Sequence, residues 1–489
     1  LIVSRIHGKR TKIVATLGPS SNEETVLRQM VRAGIDVARI NFSHNSHEVN
    51  GKMIDDVRRI AEEEGVVVAV LADIQGPKIR VGKITKPLNL LAGDTVTLTL
   101  DQADGENGIV QLPHPEFLQD IKVGTRLLLD DGKLEFEVKS LIPRGLVCIA
   151  VIPGILSSNK GVMAPNARLT LSAITDKDSE DIRYALSKDV DYVAMSFVRS
   201  PKDVQEMRFL IRHLGGKAAI ISKIEKHEAL EEIEAIIAES DGIMVARGDL
   251  GLEIPAEEVP YHQKKIIKLC NDVGKPVITA TQMLNSMEKS PRPTRAEASD
   301  VYNAILDGTD AVMLSNESAS GDYPVKSVEM MVNIASIAER NLFPAGAKEH
   351  PVKIGTGLEG REAISDAISQ ATSQVADALN CKAIITTTLS GYTTRRVARE
   401  RPKTPIICVT PNPLTYKQVA LVWGTHPILL KHDFKTVDEM LRIVIRAAFD
   451  AKLVDVNDSV VVIAGVPFGV TTQTNFLKLH IVGEANELQ

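Results

Sequence analysis

The chain has 489 residues, room for roughly three domains with substantial cores, which excludes a miniprotein or a disordered tail. Its 44% hydrophobic and 25% charged residues, with 32 Gly and 23 Pro, match an ordinary globular protein and exclude low-complexity and collagen-like classes. The formal charge of −6 lacks the basic excess that nucleic acid or an anionic membrane surface selects for, so neither is an expected partner.

From Thr11 to Ile74, short β-branched runs alternate with amphipathic stretches. The pattern predicts strands from Lys12 to Leu17, Val37 to Phe42 and Val66 to Ala72, and helices from Glu23 to Ala33 and His47 to Glu64. It stops at Gly76-Pro77 and resumes near Thr175. Further strands are predicted from Tyr192 to Phe197, Ala219 to Ile224, Gly242 to Ala246, Pro276 to Ala280 and Ala311 to Leu314. Together these make eight strand-helix units, the number that closes a (β/α)8 TIM barrel, with a helix from Val325 to Arg340 completing the outer ring. A doubly wound sheet is the alternative at fold level.

The inserted segment, Lys78 to about Asn166, reads as short strands punctuated by Gly-Asp, Asp-Gly and Pro-Gly turns, an all-β lid hinged on the barrel rim. Its strands are predicted from Thr95 to Leu100, Arg126 to Leu129, Leu134 to Val138 and Leu146 to Val151. After Phe343 a Pro- and Gly-rich linker leads to a C-terminal α/β domain, with a helix from Glu362 to Leu379. Its strands are expected from Ala383 to Thr387, Pro405 to Val409, Ile428 to Leu430 and Val460 to Ile463. The expected division is 1–75 with 167–345 for the barrel, 76–166 for the lid and 346–489 for the C-terminal domain. Gly355, Gly357 and Gly360 spell GxGxxG, but no proper strand feeds that turn, so a linker is the preferred reading over a dinucleotide site.

No apolar run approaches the roughly 18 residues that span a bilayer, and the first ten residues lack the apolar core of a secretory signal. Cys148, Cys270, Cys381 and Cys408 are far apart without CxxC spacing, so neither a zinc knuckle nor a disulfide framework is indicated. A reducing, cytoplasmic location is expected.

Active sites of such barrels gather at the C-terminal ends of the strands. Strand two ends in Arg39-Ile40-Asn41-Phe42-Ser43, where period-two alternation turns Arg39, Asn41 and Ser43 to one face. Strand three ends in Asp73, strand five in Lys223 and Glu225, strand six in Asp249, strand seven in Thr281, and strand eight in Ser315 and Glu317. One such residue alone reads as a rim ion pair or a cap. The ensemble reads differently, because charges gathered around one mouth must be paired or serve a ligand. Glu225 and Asp249 offer hard oxygen ligands too few to saturate Mg2+, leaving positions for water and substrate. Arg39 and Lys223 add cations suited to an anionic, phosphate-bearing substrate on which negative charge develops. His44 and His47 could pair on a metal, but no third ligand is spaced beside them, and a helix-entry or phosphate contact is preferred. The chain has no GxxxxGK[ST] phosphate loop.

From Lys12 to the C-terminal domain the sequence resembles the pyruvate kinase family. The resemblance rests on ARINFSH (Ala38 to His44), Gly76 to Arg80, ISKIE (Ile221 to Glu225), DGIMVARGDLG (Asp241 to Gly251), Thr279 to Met287 and KSPRPTRAEAS (Lys289 to Ser299). It implies a homotetramer that transfers the phosphoryl group of phosphoenolpyruvate to ADP, giving pyruvate and ATP. It also implies Mg2+ (or Mn2+) on Glu225 and Asp249, and Lys223 as transition-state stabiliser. Arg39 would hold the phosphate, while Thr281 and the Gly248-Asp249 backbone would hold the carboxylate. Thr281 and Ser315 lie where a proton could be relayed, with the donor left open. Asn41, Phe42, Ser43, His44, Arg80 and Lys160 match the family's nucleotide contacts.

Two departures carry expectations of their own. Asn41, Ser43, Asp73 and the Ile74 carbonyl match the family's K+ ligands, but Lys78 stands where K+-dependent members carry Glu, so K+ is expected to be dispensable. In LSNES, Asn316 and Ser318 replace Gly and Thr, and the turn is expected to survive because Asn tolerates the left-handed region. In TTTLSGYTT (Thr386 to Thr394), hydroxyls and backbone N–H groups cluster at a helix start that suits phosphate. By resemblance, Thr388, Ser390, Gly391 and Thr393 would bind an activating sugar phosphate or nucleotide. A Mg2+-dependent aldolase or lyase, and a catalytically dead sugar-phosphate sensor, are the competing readings.

Overall fold

The computed structural model describes residues 9–165, 167–342, 359–467 and 473–484. Eight parallel strands close into a barrel in sequence order: Lys12–Leu17, Val37–Asn41, Ala69–Ile74, Tyr192–Met195, Ala219–Ile224, Gly242–Ala246, Val277–Ala280 and Ala311–Leu314. Closure is made by the first strand pairing with the eighth, Lys12 opposite Ala311. Every residue of the first and third strands is buried, as expected of parallel strands covered on both faces. Alternation sorts them into two layers. Val14 joins Leu71, Ile221, Met244 and Ile278 inside the barrel, while Ile13, Ala15 and Leu17 pack outward against the helices.

The inserted body has its own apolar core, including Val96, Leu98, Leu127, Phe136 and Cys148. A six-stranded sheet and a two-stranded sheet build it, and a short helix, Pro115–Asp120, stands among the strands. The strands Leu88–Leu90, Ile109–Gln111, Gly154–Leu156 and Val162–Met163 have only two or three residues each, too few for alternation to reveal them in the sequence. Gly76 begins the insertion at φ 70°, a left-handed conformation that glycine adopts without strain. Its N–H donates to Asp178 Oδ1 at 3.0 Å, and Asp178 Oδ2 also completes the capping box of the helix Asp176–Ser187 with Thr175.

The C-terminal sheet runs in the order Thr425–Leu429, Ile406–Thr410, Ala383–Thr387, Ser459–Ala464 and Phe476–Ile481, the last strand antiparallel at the edge. The segment before its edge strand Thr425–Leu429 meets the base of the barrel. Ala420 and Leu421 enter the inner barrel cluster, Lys12 Nζ donates to the Thr425 carbonyl at 2.8 Å, and Tyr192 OH donates to the Gln418 carbonyl at 2.5 Å. The buried Trp423 lies under the guanidinium of Arg401, 5.0 Å from the ring centre, and Arg401 pairs with Asp310 at 3.0 Å. Phe343, Gly355 and Gly357 of the linker fall outside the described residues. The four cysteines are buried free thiols. Among the described residues no helix is long and apolar enough to cross a membrane.

Candidate active site

The C-terminal rim of the barrel gathers Arg39, Asp73, Lys223 and Glu225 into one buried network. Arg39 Nε donates to Asp73 Oδ2 at 2.7 Å, Lys223 Nζ lies 3.2 Å from Asp73 Oδ1, and Lys223 Nζ lies 2.9 Å from Glu225 Oε1. The side chains are nearly enclosed, with 3% exposure at Asp73, 1% at Glu225 and 11% at Lys223. Burial acts against the charge on Lys223, but Asp73 and Glu225 outweigh it and hold the ammonium above its ordinary value. Burial likewise opposes ionisation of Asp73, yet Arg39 and Lys223 hold its carboxyl below the usual range. Glu225 goes the other way. Burial pushes its carboxyl up and the charge of Asp249 adds to that, against the pull of Lys223.

Two residues that complete this network escaped the sequence reading. Ser196, just past the fourth strand, accepts from Lys223 Nζ at 2.8 Å and donates to the Ile74 carbonyl at 2.7 Å. Thr16, on the first strand, accepts from Arg39 Nη1 at 2.8 Å and donates to the Leu314 carbonyl at 2.8 Å. Both sit at strand ends, the very signal that singled out the other rim residues. The backbone N–H of Phe197, at φ 54°, donates to Glu225 Oε2 at 2.7 Å and fixes that carboxylate.

Asp249 is displaced from the predicted strand end. The sixth strand stops at Ala246, and Asp249 lies in the first turn of the helix Arg247–Glu253, lining the cleft between barrel and lid with Lys78, Phe197 and Lys226. Gly248 N donates to Thr281 Oγ1 at 2.8 Å, and Thr281 Oγ1 donates to the Ala280 carbonyl at 2.6 Å, with Thr281 at φ 68°. Ser315 N donates to Glu317 Oε2 at 2.7 Å, while Ser315 Oγ is buried without a hydrogen-bond partner. The turn of Asn316 to Ser318 keeps right-handed geometry inside a short helix, Asn316–Ala319, so the left-handed tolerance of Asn is not used there.

The predicted nucleotide contacts divide into groups. Phe42 is 1% exposed, and its carbonyl accepts from Lys177 Nζ at 3.1 Å, so its ring belongs to the core. Asn41 Oδ1 accepts from Ser43 N at 3.0 Å. His44 is held below its ordinary value by burial and by the charges of Arg80, Lys78 and Arg39. Arg80 Nη1 donates to the Asn159 carbonyl at 2.9 Å, and Lys160 Nζ pairs with Asp130 at 2.7 Å, both in the lid. His47 stacks on Tyr184 and bonds Asp181 at 2.6 Å, away from any metal pairing with His44. Among the described residues the one tight group of three metal-type ligands is His227, Glu228 and Glu253, where Lys226 Nζ already pairs with Glu253 at 2.5 Å.

In the C-terminal domain, Gly391 holds φ 77° at the start of the helix Tyr392–Arg399, where a side chain would meet Arg395. Thr393, expected by resemblance to bind an activator, is buried, with its hydroxyl 2.9 Å from that of Thr474. Ser390 is exposed and Thr388 half-buried.

The carboxylate pair of Glu225 and Asp249 has the donor chemistry of a hard divalent ion, and their mutual repulsion is what a cation between them relieves. The neighbouring ammonium and guanidinium suit a phosphate-bearing anion. Two family models match the chain: the pyruvate kinase barrel domain over residues 8–328, and the pyruvate kinase alpha/beta domain over residues 366–480. The chain is 45% identical over 480 residues to pyruvate kinase 2 of Synechocystis sp., covering 97% of this chain and 79% of that protein. It is 44% identical to pyruvate kinase of Geobacillus stearothermophilus and 42% identical to that of Sporosarcina psychrophila, covering 81% of each. With both family models matched in order around a closed eight-stranded barrel, this chain belongs to the pyruvate kinase family, a family of phosphotransferases.

Proposed function

We propose that the chain transfers the phosphoryl group of phosphoenolpyruvate to ADP, with Lys223 as the group that offsets charge on the phosphoryl in flight. The observation that carries this reading is the sharing of Asp73 between Arg39 and Lys223, which fixes two cations side by side at the rim. The phosphorus–oxygen bond of the substrate breaks as an ADP phosphate oxygen attacks, and the enolate left behind takes a proton at its terminal carbon to become pyruvate. Arg39 binds the phosphate, and Thr281 with the Gly248-Asp249 backbone orients the carboxylate. Ser315 Oγ, buried and without a partner, can carry the proton onward, with Thr281 beside it in the family's arrangement. Glu225 and Asp249 hold Mg2+ or Mn2+, which when bound supplies Lewis-acid stabilisation of the enolate oxygen. Asn41, Phe42 through its backbone, Ser43, His44, Arg80 and Lys160 contact the nucleotide, and a closed lid excludes water as a competing acceptor.

K+ is dispensable in this reading. Of the four family ligands, Asp73 already accepts from Arg39 and Lys223, and Asn41 Oδ1 accepts from Ser43 N, while the Lys78 charge acts on the neighbouring His44. The C-terminal loop binds a phosphate-bearing activator through Thr388, Ser390 and the Gly391 turn, and the buried Thr393 acts through Thr474 rather than by direct contact. The working assembly is a cytoplasmic homotetramer. The antiparallel edge strand Phe476–Ile481, with Leu479 and Ile481 exposed, supports association through that edge. The separate apolar cores support domain limits of 1–75 with 167–345, 76–166 and 346–489.

The deciding experiment is pyruvate formation from phosphoenolpyruvate and ADP, with and without Mg2+, in wild type and Lys223→Met. Turnover should need the metal and fall by about a thousandfold or more in the variant. The variant should remain folded but lose roughly 3 kcal/mol of stability, because Glu225 is left buried without its ammonium. A variant that turns over at the wild-type rate would refute the role.

A further inference from the structure

A cavity of about 260 Å³ lies where the base of the barrel meets the C-terminal domain, on the barrel side of the loop that carries Ser390. It has room for about eight waters. Four cationic side chains line it, Arg208, Lys217, Lys275 and Arg395, against one carboxylate, Asp241. That carboxylate is already engaged: Asp241 Oδ2 accepts from Arg208 Nη1 at 3.0 Å and from Ile220 N at 2.8 Å. The remaining cations have no acid of their own. Lys275 Nζ donates to the carbonyls of Ile237 and Ala238 at 2.7 and 2.6 Å, and Arg395 Nη1 donates to the carbonyl of Ser390 at 3.1 Å. Among the described residues neither they nor Lys217 form an ion pair. Both are half-buried, and burial lowers the basicity of Arg395 and Lys275 despite the opposing pull of Asp241.

Charge kept in such a place calls for a counter-charge. Two ammonium points and two planar guanidinium forks around a small chamber suit a phosphate dianion better than a carboxylate, because more oxygens can accept at once. We propose that this cavity is a binding site for phosphate, free or as a small monoester, that ties the barrel base to the C-terminal domain. Its walls come from both bodies. Tyr192 and Ala219 start barrel strands, whereas Arg395 and Gln418 belong to the C-terminal domain. A ligand held there stabilises the docked arrangement by mass action.

The site is independent of the catalytic reading and is tested on the full-length Lys223→Met protein as well as on wild type. Calorimetric titration with inorganic phosphate and, separately, with glycerol 3-phosphate is carried out at constant ionic strength without Mg2+. Saturable binding is expected in both proteins, weakened about tenfold or more by Arg395→Gln and by Lys275→Met, and several-fold by Lys217→Ala. Tighter binding of glycerol 3-phosphate than of phosphate assigns the site to a monoester, and equal or weaker binding assigns it to free phosphate. Should either the Arg395 or the Lys275 variant fail to fold, the exposed Lys217→Ala decides, since its phosphoenolpyruvate and ADP turnover should be unchanged. Absence of saturable binding, or identical affinity in wild type and every folded variant, overturns the proposal.

Discussion

Asp73 is the residue on which the rim network turns. Its two oxygens serve different strands, Arg39 on the second and Lys223 on the fifth, so a single carboxylate fixes the spacing of two cations. The sequence exposes all three as strand-end residues, but their pairing cannot be read from it. Lys78 is the other residue with a consequence at this scale. Its charge, with those of Arg80 and Arg39, acts on His44, and cations so close to the site repel a further monovalent cation. Turnover is therefore expected to change less than twofold when K+ is replaced by a larger organic cation at constant ionic strength, and Lys78→Glu should introduce K+ dependence. A large loss in wild type on K+ withdrawal would refute this.

At the scale of elements, the lid is attached through Gly76, and the attachment is a backbone matter. A methyl group at Gly76 would lie 3.0 Å from the Phe197 ring and 3.2 Å from Ser196 Cβ, at a φ that disfavours any side chain. Those same two residues orient Glu225 and Lys223. Gly76→Ala is thus expected to cost about 1–3 kcal/mol and also to lower kcat, a combination checked by thermal melting alongside steady-state rates. Asp178→Asn, which keeps the cap's shape but weakens the bond to Gly76 N, should change the KM for ADP more than kcat. The helix and strand pattern around this hinge is legible in the sequence, because Thr175 to Asp178 is a capping box and Gly76-Pro77 is a chain break. The two- and three-residue lid strands are not, because periodicity needs more residues than they have. The edge strand Phe476–Ile481 was missed for a different reason. Its apolar Leu479 and Ile481 face outward while His480 faces in, the reverse of the pattern that marks a half-buried strand.

At the scale of the whole molecule, the barrel base and the C-terminal domain meet across a charged seam. His426 faces Lys12, Lys9, Arg10 and Asp36 there, and burial, reinforced by Lys12, pushes its imidazole down to about 3. The folded value lies below the ordinary one, so the unfolded chain binds the extra proton in acid. Its contribution to stability is complete above about pH 6.5 and is lost as the pH falls towards 3. Denaturant unfolding at pH 7 and pH 5 should show a drop that His426→Gln reduces by on the order of 2 kcal/mol. Parallel slopes in variant and wild type would contradict it.

What the sequence by itself determined is local: the eight strand-helix units, the site of the insertion, and the identity of Arg39, Asp73, Lys223, Glu225 and Thr281 as rim residues, all consequences of periodicity and turn chemistry within short windows. What only the tertiary structure decided is which groups meet. Lys223 and Asp73 are 150 residues apart in the chain and 3.2 Å apart in space, because closing the barrel brings the ends of its third and fifth strands around one mouth. The tertiary structure likewise places Asp249 on a helix, packs Thr393 against Thr474 within the C-terminal domain and leaves a cationic chamber at the opposite end of the barrel. Such contacts depend on distances set by the whole fold, and no window of the sequence contains them.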